Sequence, residues 1–296
     1  MVEVRDFLDK MSYENRYSSN TILAYDNDLT SFFAFLADNY PDIELPQIKL
    51  SIVREWITNL SELGLESSSI NRKITSLRSF FSYLKKESII DSNIISDIKS
   101  LKQPKNLPLY VTEQSMNSLF EDVPFDNNYK GVLTKTVLLI FYFTGIRLSE
   151  LLNLKNGDVD FYTEQIKVLG KRNKQRIIPI GKELILQLRE YQTEKESLGF
   201  PVTNNTNLFL TEKGEPLYAK LVYRLVTENL NKVTTLKKRS PHIIRHSFAT
   251  HMLNNGADLN TIKELLGHES LSATQIYTHN NIEKLKSVYK QAHPKA

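Results

Sequence analysis

The chain contains 296 residues, of which 41% are hydrophobic and 24% charged, and its formal net charge is +4. This composition excludes disordered and fibrous proteins, and the absence of cysteine excludes disulfide bonds and thiol chemistry. The chain has no apolar run long enough to span a bilayer and no basic-then-apolar leader, so the sequence predicts a cytoplasmic protein of two domains without a membrane partner.

Residues 1–100 predict a bundle of helices. Apolar residues recur at helical spacing in four segments, the second of which can be capped by Ser18 or Ser19. The third runs from about Ser51 to Gly64, where a glycine ends it.

The fourth helix begins at Ser67 and surrounds its apolar side with short polar and basic residues. Arg72, Lys73 and Arg78 would suit contacts with the phosphates or a groove of a nucleic acid, although a solvated helix face explains this helix equally well. Further basic clusters occur at Lys85-Lys86, Lys171 to Arg176 and Lys237 to Arg239. The four clusters together favour a polyanionic partner.

The helical pattern lapses at residues 101–110, which contain two prolines and two lysines. This composition predicts an extended basic linker between a domain over 1–100 and a second over 111–296. Lys105 could lie along a nucleic-acid backbone, although linkers are also charged merely to stay soluble.

The second domain is predicted to be mostly helical with one small antiparallel hairpin, so the fold class is mainly α. Helices are expected over residues 113–120, 132–144, 182–194, 220–233, 241–252, 259–266 and 282–289, with another short one starting at Ser270 or Ser272. Strands at 165–169 and 176–180 flank a basic tip that contains Lys171, Arg172 and Lys174.

Gly145 ends the most apolar of these helices, and Arg147 follows it. This order predicts that the guanidinium lies near the interior, where Glu150 can hold it. An arginine and a glutamate paired for packing is an equally good interpretation of this segment.

The stretch from Ser240 to His251 predicts an anion site at a helix start. Ser240 is a good N-cap and Pro241 suits the first helical position. His242 and Arg245 are three residues apart, which places them on one face beside the positive end of the helix dipole.

All the histidines follow residue 241, which suggests proton chemistry or metal binding in the last fifth of the chain. They are His242, His246, His251, His268, His279 and His293. The lack of cysteine and the five-residue spacing of His246 and His251 disfavour zinc.

Several of these side chains could perform phosphoryl transfer if the fold brings them together. Two arginines could clamp a phosphodiester and neutralise the charge that grows in a pentavalent transition state. A tyrosine hydroxyl could attack the phosphorus while a histidine takes its proton, and a lysine or a second histidine could protonate the departing 5′ oxygen. The set is Arg147, Lys171, His242, Arg245, His268 and Tyr277. This scheme requires no metal.

The same segments, in this order, closely resemble the tyrosine recombinase family over essentially the whole chain. They are Thr144-Gly-Ile-Arg147-Leu-Ser-Glu-Leu, Gly170-Lys171, His242-Ile-Ile-Arg245-His-Ser-Phe-Ala-Thr-His251, Leu266-Gly-His268 and Tyr277-Thr-His279. The resemblance implies a helical, SAM-like core-binding domain and a catalytic domain that together form a C-shaped clamp on DNA. The chain length is most similar to that of the Xer recombinases, which resolve chromosome dimers.

The resemblance also implies the chemical roles. Tyr277 would be the nucleophile that forms a 3′-phosphotyrosyl bond, and Lys171 would be the general acid. Many relatives have glycine after this lysine, whereas Arg172 stands here, which puts the loop geometry in doubt but not Lys171. Arg172 and Lys174 could add phosphate contacts.

The remaining implied roles concern the phosphate. Arg147 and Arg245 would bind the scissile group, whereas His242 and His268 would assist proton transfer and hold it. Because the covalent link conserves the energy of the broken bond, the resemblance implies neither ATP nor any other cofactor.

The family further implies partners. Four protomers, identical or including a second recombinase, would assemble on two double-stranded DNA sites through a Holliday junction, and a DNA translocase could activate them. The segment from Ile282 would dock on a neighbouring protomer, although packing on its own domain is the alternative. Such an enzyme would be nucleoid-associated.

Other functions compete with this one. An integrase of a mobile element would share the chemistry, and a non-catalytic DNA-binding protein would use the basic helices alone. A type IB topoisomerase also uses a tyrosine and similar cations, but the helical N-terminal domain and the Leu266-Gly-His268 segment favour recombination.

Overall fold

The computed structural model describes residues 2–103, 109–170, 174–267 and 279–295. The chain divides into two compact units, Met1–Asn106 and Leu107–Ala296. Within the described ranges, every helix is too short or too polar to cross a membrane.

The first unit is a bundle of helices, as predicted. Its elements are α1 (Val2–Tyr13), α2 (Ser19–Asn39), a 3-10 turn (Leu45–Gln47), α3 (Leu50–Glu62) and α4 (Ser67–Lys86). Ser18 is confirmed as the cap of α2, because its Oγ accepts a hydrogen bond from the backbone N–H of Thr21 at 3.3 Å. This bond satisfies one of the donors that a helix start leaves unpaired.

Aromatic side chains form the centre of this bundle. Phe32 meets the indole of Trp56 with ring centroids 5.0 Å apart, and Phe80 meets Phe7 and Phe33 at 5.5 and 5.8 Å. All three pairs adopt edge-to-face geometry, which places the positive ring edge against the negative face. The helices of this bundle are therefore held together largely by their apolar faces.

The second unit is also mostly helical. Its helices are α5 (Glu113–Glu121), α6 (Tyr129–Thr144), α7 (Leu148–Asn153), α8 (Lys182–Ser197), α9 (Ala219–Leu230), α10 (Pro241–Asn254), α11 (Leu259–Leu266) and α12 (His279–Ala292). The helix predicted over 220–233 ends earlier, at Leu230, because the backbone N–H groups of Lys232 and Val233 donate to the carbonyls of Asn229 and Leu230, three residues back instead of the four of an α-helix.

Helix α6 is the centre of this unit, with α8, α9 and α10 against it. It is apolar on nearly all sides, as expected of a helix surrounded by protein. Asn128 caps it by accepting from the N–H of Gly131 at 2.9 Å, so it starts one turn before the predicted Val132. It ends at Gly145, whose φ of +57° is the left-handed conformation that glycine adopts without strain.

Three antiparallel strands stand beside the helices in the order β1 (Val159–Asp160), β2 (Gln165–Leu169) and β3 (Gln175–Pro179). The hairpin of β2 and β3 was predicted to within one residue. Strand β1 was not predicted, because two residues are too few to show an alternating pattern. In the β2–β3 register, Ile166 faces Ile178 and Val168 faces Arg176.

Helix α12 packs within its own unit, as the alternative interpretation of this segment predicts. Leu285, Tyr289 and Ala292 are buried, and Asn255 at the end of α10 donates to the carbonyl of Ala292 at 3.0 Å. Docking of this segment on a neighbour stays a prediction.

Candidate active site

Helix α10 begins at the predicted residue, directly after Ser240. Ser240 is the extended N-cap of α10, and Pro241 takes the first helical position. Among the described residues, however, the Ser240 side chain makes no capping hydrogen bond; only its carbonyl accepts, from the N–H groups of Ile243 and Ile244. The apolar face of α10, including Ile244 and Phe248, is buried as predicted.

Arg245 lies on the buried side of α10, with 6% of its surface exposed. Its Nη1 donates to the carbonyl of Gly145 at 2.5 Å and its Nη2 to that of Leu266 at 2.7 Å. Burial, followed by the positive charges of Arg147 and Arg176, lowers the pKa of Arg245 to about 10. The guanidinium therefore stays charged at neutral pH while two backbone carbonyls fix its orientation.

Arg147 is held by Glu150, so the predicted pairing is confirmed. The carboxylate accepts from the backbone N–H of Arg147 at 2.7 Å and from its Nη1 at 2.8 Å, which closes the first turn of α7. Its Nη2 donates to the carbonyl of Gly267 at 2.9 Å. One third of this side chain is exposed, so Arg147 keeps an accessible edge that could bind an anion.

A third arginine completes this cluster: Arg176, which the sequence predicted on a strand as the last member of a basic cluster, without a catalytic role. Both terminal nitrogens of Arg176 donate to Glu150, each at 2.8 Å, and its Nε donates to the carbonyl of Leu265 at 2.7 Å. Only 5% of Arg176 is exposed. The sequence carried a signal, because Arg176 and Ile178 are two residues apart on one face of β3 and Ile178 faces the core.

The ionisation of Glu150 follows from these contacts. Burial alone would raise the pKa of this carboxyl, but hydrogen bonds from Arg176 and Arg147 and the charge of Arg176 lower it below its ordinary value. The carboxylate is therefore negative at neutral pH. With three guanidiniums and one carboxylate, the cluster carries a net charge of +2.

The three arginines also contact three successive carbonyls, those of Leu265, Leu266 and Gly267. These acceptors lie at the C-terminal end of α11, where the helix dipole is negative. Gly267 takes a left-handed φ of +66°. The end of α11 therefore fixes the direction of each guanidinium.

His242 is exposed on the first turn of α10, one turn before Arg245. Its neighbour His246 is half-buried, and burial followed by the charge of His242 lowers the pKa of His246. Among the side chains that the structure describes, no group of three or more His, Asp or Glu is placed to hold a metal ion.

Two histidines prove to be packing residues, so their clustering in the sequence did not indicate a common chemical role. His251 is buried, and its Nε2 donates to the carbonyl of Val111 at 2.9 Å while its Nδ1 accepts from Tyr142 at 3.0 Å. Burial lowers the pKa of His251. His293 is likewise buried, beside Tyr142 and Tyr289.

Lys171, Arg172, His268 and Tyr277 lie outside the described residues. Their chain neighbours lie close to the arginine cluster. If Gly170 carried a side chain, its Cβ would lie 3.8 Å from atoms of both Arg176 and Glu150. A Cβ on Gly267 would lie 3.1 Å from Arg176. The cluster therefore lies close to the residue before Lys171, and it contacts the residue before His268, whose carbonyl accepts from Arg147.

The predicted DNA contacts of the first unit take part in its internal structure. Arg72 and Lys73 form ion pairs with the buried carboxylate of Asp28 at 2.6 and 3.4 Å, although half of the Arg72 side chain stays exposed. Arg78 donates to the carbonyl of Ile98 at 2.7 Å. In the second unit Lys174 is exposed beside the hairpin tip, whereas Lys105 lies outside the described residues.

The chain is similar to proteins of one known family along almost its whole length. The model described as "Phage integrase family" matches residues 110–284, and "Phage integrase, N-terminal SAM-like domain" matches residues 4–88. The "Tyrosine recombinase XerC" of Listeria innocua is 37% identical over 98% of this chain and 97% of its own. The chain is a tyrosine recombinase of the phage integrase family. The resemblance on which the site was predicted is thereby confirmed.

Solved structures share the fold of this recombinase. The XerH site-specific recombinase bound to palindromic difH substrate has a TM-score of 0.74 and 24% identity, and it covers 96% of this chain and 82% of its own. The Tn1549 transposon integrase in complex with circular intermediate DNA has a TM-score of 0.72 and 21% identity, with 95% and 98% covered. At these sequence identities, the similarity to the two solved structures shows that the fold is shared.

Proposed function

We propose that this enzyme is a site-specific recombinase that cuts and rejoins double-stranded DNA through a covalent bond to Tyr277, and that it resolves chromosome dimers at cell division. The observation that carries the chemistry is the arginine cluster with its net charge of +2 and the accessible edge of Arg147. A phosphodiester carries one negative charge, and its pentavalent transition state carries two. The cluster therefore binds the transition state more strongly than the ground state.

In this mechanism Arg147 and Arg245 clamp the non-bridging oxygens of the scissile phosphate. The Tyr277 oxygen forms a bond to phosphorus while the bond from phosphorus to the 5′ oxygen breaks. A histidine accepts the tyrosine proton, and Lys171 protonates the departing 5′ oxygen. The reverse reaction with a 5′ hydroxyl from another strand restores the phosphodiester and produces a Holliday junction.

The match to XerC over nearly the full length of both chains supports the chromosomal role. In that role four protomers, with or without a second recombinase, act on two sites, and a DNA translocase could control them. The two units over 1–106 and 107–296 correspond to a core-binding domain and a catalytic domain. Lys174 and the exposed part of Arg72 are proposed DNA contacts.

The test is to mix the protein with fragmented chromosomal DNA, denature with detergent, and sequence the DNA that stays attached. Tyr277→Phe should give no adduct, and Arg245→Ala should bind DNA but slow adduct formation by about 10²- to 10³-fold, because it removes charge stabilisation of the transition state. Arg189→Ala is the matched control, since that guanidinium lies over the ring of Phe161.

The position of the adducts decides the biological role. Adducts of the wild type at one chromosomal site would support dimer resolution, whereas adducts at the ends of a mobile element would overturn it. Adducts that persist in Tyr277→Phe would refute the tyrosine mechanism.

A further inference from the structure

Arg176 makes more contacts with the active-site cluster than packing of a strand requires. It bridges three elements: β3, on which it lies, Glu150 of α7, and the carbonyl of Leu265 at the end of α11. Each oxygen of the Glu150 carboxylate accepts one bond from Arg176 and one from Arg147. The carboxylate that orients Arg147 is thus itself oriented by Arg176.

The charge of Arg176 is a second reason to assign it a role beyond packing. Because Arg176 pairs with both oxygens of Glu150, it compensates the negative charge that Arg147 would otherwise have to compensate. The two proposed clamp residues, Arg147 and Arg245, then keep their combined charge of +2 for the phosphate. An apolar side chain in place of Arg176 would lower the net charge of the cluster to +1.

The burial of Arg176 is a third reason to assign it a role beyond packing. Taking a charged group out of water is costly, and an apolar residue of similar volume is often at least as stabilising as a buried ion pair. Arg176 is nevertheless 95% buried on a strand face that it shares with Ile178. Its positive charge also contributes to the lowered pKa of Arg245. Packing of the strand alone therefore does not account for a second buried guanidinium beside that of Arg245.

We propose that Arg176 is a positioning residue for DNA strand cleavage, which acts through Glu150 on Arg147 and through the end of α11 on the residues that follow it. This inference rests on the proposed function. The close approach of Arg176 to Gly170 and Gly267 extends the same control to the chain segments that lead into Lys171 and His268.

The test compares two substrates that contain the site recovered from wild-type adducts. One has a normal scissile phosphodiester, and the other has a methylphosphonate there, in which a methyl group replaces one non-bridging oxygen and removes the negative charge. The neutral group requires less compensation by arginine. The variants are Arg176→Lys, which keeps the charge but cannot bridge Glu150 and Leu265, and Arg176→Met, which loses both.

Both variants should bind DNA within about threefold of the wild type and cleave the phosphodiester about 10- to 100-fold more slowly, because small displacements of catalytic groups cost this much. On the methylphosphonate the loss should shrink to less than about threefold. Adding Arg176→Met to Arg147→Ala should cost little more, since both changes affect the same clamp.

Equal losses on the two substrates, or additive losses in the double variant, would overturn the positioning role. Arg189→Lys is the matched control and should cleave both substrates like the wild type. If Arg176→Met does not fold, the Arg176→Lys comparison decides alone. A wild type that forms no adduct, alone or with a second recombinase added, refutes the proposed function itself, whereas a wild-type adduct with unaffected Arg176 variants refutes only this inference.

Discussion

Acid should weaken the attachment of the C-terminal helix through one buried histidine. His293 is 5% exposed, and its Nε2 donates to the carbonyl of Tyr142 at 3.1 Å. Its Nδ1 accepts from the backbone N–H of Lys295 at 3.1 Å, so the neutral ring satisfies both nitrogens. A second proton would displace the Lys295 contact and leave a charge without solvent.

The magnitude follows from the shifted pKa. Burial lowers the pKa of His293 from 6.5 to about 4. Because the unfolded chain takes up this proton near pH 6.5 and the folded protein only near pH 4, acid favours the unfolded state throughout that interval. The free energy of unfolding should fall by about 2 kcal/mol between pH 7 and pH 5, and by about 3 kcal/mol at pH values below 4, from this residue alone.

Urea denaturation at several pH values measures this effect. His293→Phe keeps the aromatic packing against Tyr289 and Phe143 but cannot bind the proton, so its stability should fall less between pH 7 and pH 5 than that of the wild type. Leu285→Ala, on the helix α12 that ends just before His293, is the control, because it should lower stability equally at both pH values. Parallel pH profiles for wild type and His293→Phe would refute the reasoning.

Two further substitutions test the packing of each unit. Gly145→Ala should destabilise the protein by about 2–4 kcal/mol, because φ is +57° and the new Cβ would lie 2.5 Å from Phe248. Urea denaturation followed by circular dichroism measures this loss. Gly256→Ala is the control and should cost less, because a Cβ there would meet nothing within 4 Å; equal costs for the two substitutions would contradict this account. Asp28→Asn removes the negative charge of a buried carboxylate that accepts hydrogen bonds from Arg72 and Ser76 of α4. It should lower the free energy of unfolding by about 1–3 kcal/mol, measured by urea denaturation followed through Trp56 fluorescence. An unchanged denaturation midpoint would show that the charge of Asp28 contributes nothing to stability.

The sequence determined what depends on local pattern. Helical spacing, caps such as Ser18 and stops such as Gly145 placed most helices within a few residues, because these signals act over one or two turns. The order of the motifs identified the family, and the three-residue spacing from Arg147 to Glu150 predicted their contact.

Only the tertiary structure decided how distant segments combine. Arg176 and Glu150 are far apart in the sequence, and no local rule pairs them; the packing of β3 against the end of α11 does so. The same holds for His251, whose two partners come from other segments and make it a packing residue. Spacing along one helix predicts which residues share a face, but which charges meet across the core depends on how separate elements pack.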